Sequence, residues 1–430
     1  MRIKVTKSVL QGAISVPGSK SHTIRAIVAA LLAKGTSYIK NPLVSSDTES
    51  ALYAARKLGA KFEDSLDNEV LIWRITGTGG NLSNSSDEII FLGNSGTSLK
   101  LLTGAVATTD LKVCFDGDSS LRGRPMGPLI SAMTKLGAKI TFSEGGKCPL
   151  TVKGPIRGGQ TIVEGKSSQF VSALLFATPL AKEDTEIHVV KLNERSYVDV
   201  TVDWLKFLNI DFTYEPDYSK FIVKGGQKYK SFSKTIPADF STASFPLVAS
   251  AITKSPIAIK NLDFEDKQGD KELFDVLEKM GMYIEKFSNE VNIRKTGILI
   301  GDREINMNNM PDALPVMAVA ACFAKGETIL NKAPHARIKE TDRISAMAQE
   351  LTKMGAKIKE LNDGLVIEGT KLHSAIVNGR GDHRIIMSLC IAGMASDGET
   401  IVENAEDFTV TYPGFIRDFK QLGANIEKTE

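Results

Sequence analysis

Pro128-Leu129-Ile130-Ser131-Ala132-Met133-Thr134-Lys135-Leu136-Gly137-Ala138-Lys139-Ile140-Thr141-Phe142 changes its period in the middle. Leu129, Ile130, Met133 and Leu136 recur at helical spacing, and an apolar strand begins at Ala138. Gly137 fits the stop between them, because the residue just past a helix end often turns left-handed and glycine does so without a Cβ clash. The same stop recurs as Leu58-Gly59-Ala60, Leu208-Asn209-Ile210, Met280-Gly281-Met282, Met354-Gly355-Ala356 and Leu422-Gly423-Ala424. Successive stops lie 68 to 78 residues apart, so one folding unit is repeated six times.

Each repeat also holds an earlier helix rich in small apolar residues: 26–33, 99–107, 172–181, 243–252, 314–324 and 385–395. Such helices pack on several sides inside a domain. A repeat therefore reads as strand–helix–strand–helix–strand, with parallel strands linked by helices, which is an α/β class. Six repeats divide into two sets of three, with chain punctuation at Pro17-Gly18 and Pro237. The expected domains are 1–18 with 236–430, completed by the N-terminal strand, and 19–235.

The composition narrows the function. The 430 residues carry a net charge of +2 and only 7% aromatics, which argues against a broad nucleic-acid surface. Cys114, Cys148, Cys322 and Cys390 form no close pair, so buried free thiols in a reducing compartment are expected, Cys114 within a strand. The five histidines have no metal-ligand spacing. The start of the chain alternates like a strand and lacks a signal peptide's apolar core. The longest apolar run, 313–324, is short of the roughly 20 residues of a spanning helix. A monomeric cytoplasmic protein is expected, with no nucleic-acid or membrane partner.

The small-residue helices share polar starts: Ser19 to Arg25, Gly96 to Lys100, Lys166 to Gln169, Asp239 to Thr242, Pro311-Asp312 and Asp382 to Arg384. Taken singly, each hydroxyl or carboxylate reads as an N-cap. Three equivalent starts per domain read differently, since helix N-termini attract anions. Lys20, Arg25, Lys100, Arg124, Lys339, Arg343 and Arg384 add full charges, a set suited to phosphorylated carboxylic acids.

Pro17-Gly18-Ser19-Lys20-Ser21-His22-Thr23-Ile24-Arg25-Ala26, Gly93-Asn94-Ser95-Gly96-Thr97, Arg124-Pro125-Met126-Gly127, Ser167-Ser168-Gln169, Met310-Pro311-Asp312-Ala313, Lys339-Glu340-Thr341-Asp342-Arg343 and Asp382-His383-Arg384 resemble, in order, the motifs of the 3-phosphoshikimate 1-carboxyvinyltransferase family. The resemblance implies the two-domain enolpyruvyl-transferase fold, an inside-out α/β barrel with six βαβαββ repeats, three per domain, and an active site in a cleft that closes over the substrates. It implies addition–elimination between phosphoenolpyruvate and shikimate 3-phosphate, with no metal or organic cofactor. By the same match Asp312 is the general base, Glu340 the proton donor, and Lys20 a contact of both substrates that shares proton transfer. Ser21, Arg25, Ser167, Ser168, Gln169, Ser196, Asp312 and Lys339 fall to shikimate 3-phosphate. Gly96, Arg124, Gln169, Arg343 and Arg384 fall to phosphoenolpyruvate. The plain alternatives are a helix cap for Asp312, a solvated charge for Glu340 and a surface ion pair for Arg343.

Three positions depart from the family pattern. Lys100 replaces a common arginine, Val410 a common lysine, and Glu194 a serine, where a carboxylate beside a substrate phosphate is repulsive. If Thr341 caps the next helix, Lys339 and Glu340 lie in the preceding loop and Arg343 in the first turn. The rival enzyme, UDP-N-acetylglucosamine 1-carboxyvinyltransferase, typically has Lys-Asn at the first motif and a reactive loop cysteine. Here the motif reads Lys20-Ser21, and 116–124 has no cysteine. A nucleic-acid-processing protein on a similar repeat is the alternative from another class.

Overall fold

The computed structural model describes residues 1–84, 88–294 and 297–430. They divide into two compact units, Met1–Pro17 with Pro237–Glu430, and Gly18–Ile236. Each unit has its own apolar core. Among the described residues, no helix is long and apolar enough to cross a membrane.

The six stops are all left-handed. Gly59, Gly137, Gly281, Gly355 and Gly423 have φ between 88° and 111°, and Asn209 takes 56°. Behind each stop the next amide bonds back to the carbonyl five residues earlier, as Ala138 does to Met133 at 3.0 Å and Ile210 to Leu205 at 3.0 Å. That six-to-one bond satisfies a carbonyl the helix end would otherwise leave open. Asn209 keeps the pattern because a short polar side chain tolerates the left-handed region.

Among the described residues the strands form six four-stranded sheets. They are mixed, which corrects the expectation of parallel strands. In each, one edge pair is parallel and the remaining two pairings are antiparallel, as for Gly159–Glu164 with Thr185–Val190, then Lys220–Val223, then Phe212–Tyr214. The second helix does not lead to another parallel strand. Its stop feeds a hairpin, and a hairpin pairs antiparallel. Arg2–Thr6 pairs antiparallel with both Glu399–Glu403 and Asn425–Thr429. At the two chain crossings the strand stays with the unit it leaves: Gly12–Ser15 pairs with Ile257–Lys260, and Ser233–Thr235 with Lys34–Lys40.

The six small-residue helices are Lys20–Leu32, Gly96–Val106, Ser168–Ala177, Phe240–Thr253, Leu314–Cys322 and His383–Ala395. Nearly every residue on them is buried. Each buried Leu, Ile or Phe contributes about 1.5–3 kcal/mol relative to exposure. Small residues allow close crossings. A Cβ on Gly104 would lie 2.6 Å from the Ala173 carbonyl, so the helices Gly96–Val106 and Ser168–Ala177 meet backbone to backbone there. That contact brings their polar starts together.

Cys148, Cys322 and Cys390 are buried, and burial pushes the Cys148 and Cys322 thiols up to about 12. Cys114 is only half-buried, which corrects the expectation for it. It lies in the strand Lys112–Asp116, but on the face opposite Val113 and Phe115, which fill the core.

Candidate active site

In the unit Gly18–Ile236, three buried helix starts converge. Ser19 precedes the first helix without a side-chain cap bond. Lys20, in the first turn, pairs with Asp47 at 3.2 Å, and both side chains are buried. Asp47 escaped the sequence reading because an acid in a helix's first turn reads as a complement to the helix dipole. His22 accepts from Trp204 Nε1 at 2.9 Å, which makes it a core residue.

Arg25 is 1% exposed and is held from several elements. Its Nε donates to Thr201 Oγ1 at 3.0 Å, one terminal nitrogen to the Ser21 carbonyl at 3.0 Å, and the other to the Tyr197 carbonyl at 3.1 Å and Ser172 Oγ at 3.3 Å. Ser172 and Thr201 also bond each other at 2.7 Å. Neither was singled out from sequence; both sit on apolar helix faces, where a hydroxyl gives no periodic signal. Gln169 Nε2 donates to Thr97 Oγ1 at 2.9 Å, tying the second start to the third.

Gly96 faces two cations. A Cβ there would sit 2.5 Å from a terminal nitrogen of Arg124 and 3.2 Å from Lys100 Nζ. Arg124 donates to Asn94 Oδ1 and, at 3.4 Å, to Ser120 Oγ. Ser167 caps the third helix weakly, accepting from the Gln169 amide at 3.4 Å. Ser168 is bonded through both its amide and its hydroxyl to Glu194. The departing glutamate is thus directed onto a family-matched serine. Ser196 is buried in the first turn of Arg195–Phe207.

In the other unit a single guanidinium organises the site. Arg343 is 1% exposed; Nε donates to Asp382 Oδ2 at 2.8 Å, one terminal nitrogen to Asp312 Oδ1 at 2.7 Å, and the other to Glu340 Oε2 at 2.7 Å. Burial alone would lower its pKa. The charges of Asp382, Glu340 and Asp312 outweigh that and hold it above its ordinary value. Arg384 joins all three helix starts of this unit. It lies on the third, donates to Ser241 Oγ on the first at 2.8 Å, and pairs with Asp312 Oδ2 beside the second at 3.1 Å.

The plain alternatives fail on this geometry. The N-cap residue of Leu314–Cys322 is Ala313, with no side-chain cap bond, so Asp312 is not that helix's cap. Glu340 is paired and its side chain only 9% exposed, and Arg343 is no surface ion pair. The cap of Arg343–Lys353 is Asp342, which accepts from the Ser345 amide at 3.0 Å, and not Thr341. Arg343 still falls in the first turn, while half-buried Lys339 lies in the loop before it. The expected cationic face also needs correcting, because three carboxylates meet the two arginines here. Val410, buried at the end of the short helix Glu406–Val410, adds no charge.

Residues 5–419 match the profile of the EPSP synthase (3-phosphoshikimate 1-carboxyvinyltransferase) family. A 3-phosphoshikimate 1-carboxyvinyltransferase of Ruminiclostridium cellulolyticum is 47% identical over 428 residues, 99% of this chain and 100% of that one. One from Methanosarcina acetivorans is 41% identical over 435 residues, 100% of this chain and 99% of that one. The EPSP synthase structure from Acinetobacter baumannii superposes with a TM-score of 0.82 at 26% identity, covering 100% of both chains. The enolpyruvyl transferase NikO from Streptomyces tendae shares the fold, with a TM-score of 0.80 at 18% identity over 100% of this chain and 98% of that one.

Proposed function

The chain belongs to the EPSP synthase family, and on that premise we propose how its side chains divide the reaction. The enzyme transfers the enolpyruvyl group of phosphoenolpyruvate to shikimate 3-phosphate and releases phosphate, a step in aromatic amino acid biosynthesis. UDP-N-acetylglucosamine is not favoured as acceptor.

The 5-hydroxyl oxygen of shikimate 3-phosphate adds to C2 of phosphoenolpyruvate, while C3 takes up a proton. The C2–O bond to phosphate then breaks, and C3 gives a proton back. The assigned roles fall in both units. Asp312 takes the hydroxyl proton, Glu340 supplies the proton to C3, and Lys20 touches both substrates and shares in proton transfer. Ser21, Arg25, Ser167, Ser168, Gln169, Ser196, Asp312 and Lys339 hold shikimate 3-phosphate. Lys20, Gly96, Arg124, Gln169, Arg343 and Arg384 hold phosphoenolpyruvate.

One observation supports placing the two carboxyls in one site: Arg343 contacts Asp312 and Glu340 at once, at 2.7 Å each. A fixed cation between two carboxylates sets their spacing. An incoming phosphoenolpyruvate anion competes for the same guanidinium and for Arg384, and so loosens the hold on Asp312. The base is then released as the electrophile arrives, with both reactants already positioned.

The test mixes the protein with phosphoenolpyruvate and either shikimate 3-phosphate or UDP-N-acetylglucosamine and measures phosphate release. Release with the first acceptor is expected. Release only with the second overturns the reading. We further propose that the enzyme works in the cytoplasm as a monomer, in keeping with a biosynthetic family.

A further inference from the structure

Glu194 stands where the chain turns left-handed ahead of the helix Arg195–Phe207, at φ 54° and ψ 46°. A residue with a long side chain adopts that turn at a cost. The turn is anchored on both sides: the Asn193 amide donates to the Gly165 carbonyl at 2.9 Å, and the Tyr197 amide to the Glu194 carbonyl at 3.0 Å. Glu194 is 1% exposed, and its Oε2 accepts from Ser168 Oγ at 2.8 Å and from the Ser168 amide at 3.3 Å.

Ser168 opens the helix Ser168–Ala177. Its amide and its hydroxyl each carry one hydrogen to donate. A phosphate at this helix start needs those same donors. The carboxylate and a phosphate therefore exclude each other by donor count, and their like charges add to the exclusion.

We propose that Glu194 is a specificity-determining residue that competes, within the protein, with the phosphate of the acceptor. This rests on the reading that Ser168 receives that phosphate. With Glu194 on Ser168, the phosphorylated acceptor must displace a bonded carboxylate, whereas an unphosphorylated one need not. Because the backbone turn is anchored, displacement moves the side chain and leaves the turn in place. Glu194 thus lowers the preference for phosphorylated over unphosphorylated acceptor that the site would otherwise show.

Calorimetric Kd values for shikimate 3-phosphate and for shikimate test this on the full chain and on Glu194→Gln, Glu194→Ser and Ser168→Ala. Glutamine keeps the size and removes the charge; serine cannot reach Ser168. Both Glu194 variants are expected to bind shikimate 3-phosphate more tightly, Glu194→Ser about tenfold and Glu194→Gln less because its amide oxygen can still accept from Ser168, with the shikimate Kd moving less than about twofold. Thermal unfolding identifies a variant that has lost its fold, and the other variant then decides. If neither folded Glu194 variant gains affinity while Ser168→Ala loses about tenfold, the phosphate site stands and the competition is wrong. If Ser168→Ala binds shikimate 3-phosphate as the unaltered chain does, the reading of Ser168 fails and the proposal with it. Equal gains for both ligands also overturn it.

Discussion

Arg343 and Asp312 are joined at 2.7 Å, and the guanidinium is the more deeply buried partner, its side chain 1% exposed against 15% for the aspartate. Arg343 is the more enclosed member and Asp312 the more accessible one. Asp312→Ala and Asp312→Asn are expected to lower kcat by roughly 100-fold or more, the scale of a lost general base. KM for either substrate should move far less. Steady-state kinetics decides: a loss expressed wholly in KM makes Asp312 a binding residue.

Removing Arg343 leaves Asp382, whose side chain is 0% exposed, without its bidentate cation. Breaking a buried pair from one side costs about 3–5 kcal/mol. Arg343→Met should therefore lower the urea midpoint strongly as well as abolish activity. Arg343→Lys should regain part of the stability but little activity, because an ammonium cannot serve three carboxylates in a plane. Equal stability of Arg343→Met and the unaltered chain would contradict this account.

The legible parts of the sequence were local. Each stop announces itself in a few residues, since a left-handed cap is a backbone requirement met by Gly or Asn on the spot. Arg343 and Glu340 meet within one motif because they are three apart at one helix start. The partners joining distant repeats were not legible. Asp382 lies 39 residues from Arg343 and reads as an ordinary N-cap, which it also is, accepting from the Arg384 amide at 2.8 Å. One carboxylate serves two purposes, and only one of them leaves a local trace. Glu194 is legible in the same partial way: its charge is plain in the sequence, whereas its partner, a serine 26 residues away, leaves no local trace.

Gly96 makes a sharper kinetic prediction. The Cβ of Gly96→Ala meets the far end of Arg124, a flexible side chain, and not backbone. Stability should change by less than about 1 kcal/mol, the scale of an alanine for a glycine in a helix. KM for phosphoenolpyruvate should rise several-fold, since Arg124 must shift to make room, while the Kd for shikimate 3-phosphate stays put. A matching loss of shikimate 3-phosphate binding would remove Arg124 from its assigned role.

Glu350 offers a pH test away from the site. Its carboxylate accepts from Arg380 at 2.6 and 2.8 Å, from Lys353 at 2.7 Å and from the Asn378 amide at 2.8 Å. Burial alone would raise its pKa; these donors outweigh burial and set it below the ordinary 4.5. A depressed carboxylate stabilises the fold fully above its unfolded pKa, and that contribution is lost as pH falls through the folded one. Glu350→Gln should therefore be less stable than the unaltered chain at pH 7. The gap should begin to close only below the ordinary 4.5. Chemical unfolding across pH 3 to 8 reads it, and a gap that widens on acidification would reverse the sign.

The repeat itself can be tested at two stops within one unit. Asn209 sits at φ 56°, inside the left-handed region open to L residues, whereas Gly137 sits at φ 111°, well outside it. Space is not the issue at Gly137, since an added Cβ meets nothing nearer than 3.7 Å. The difference is backbone conformation alone. Asn209→Ala should cost about 1 kcal/mol, and Gly137→Ala more, about 2 kcal/mol or above. Asn209→Gly should be tolerated within about 0.5 kcal/mol, because glycine takes the same angle freely. Unfolding midpoints rank the three. If Gly137→Ala proves no worse than Asn209→Ala, the left-handed stop is not what holds the helix end, and the six-to-one bonds behind it carry that work.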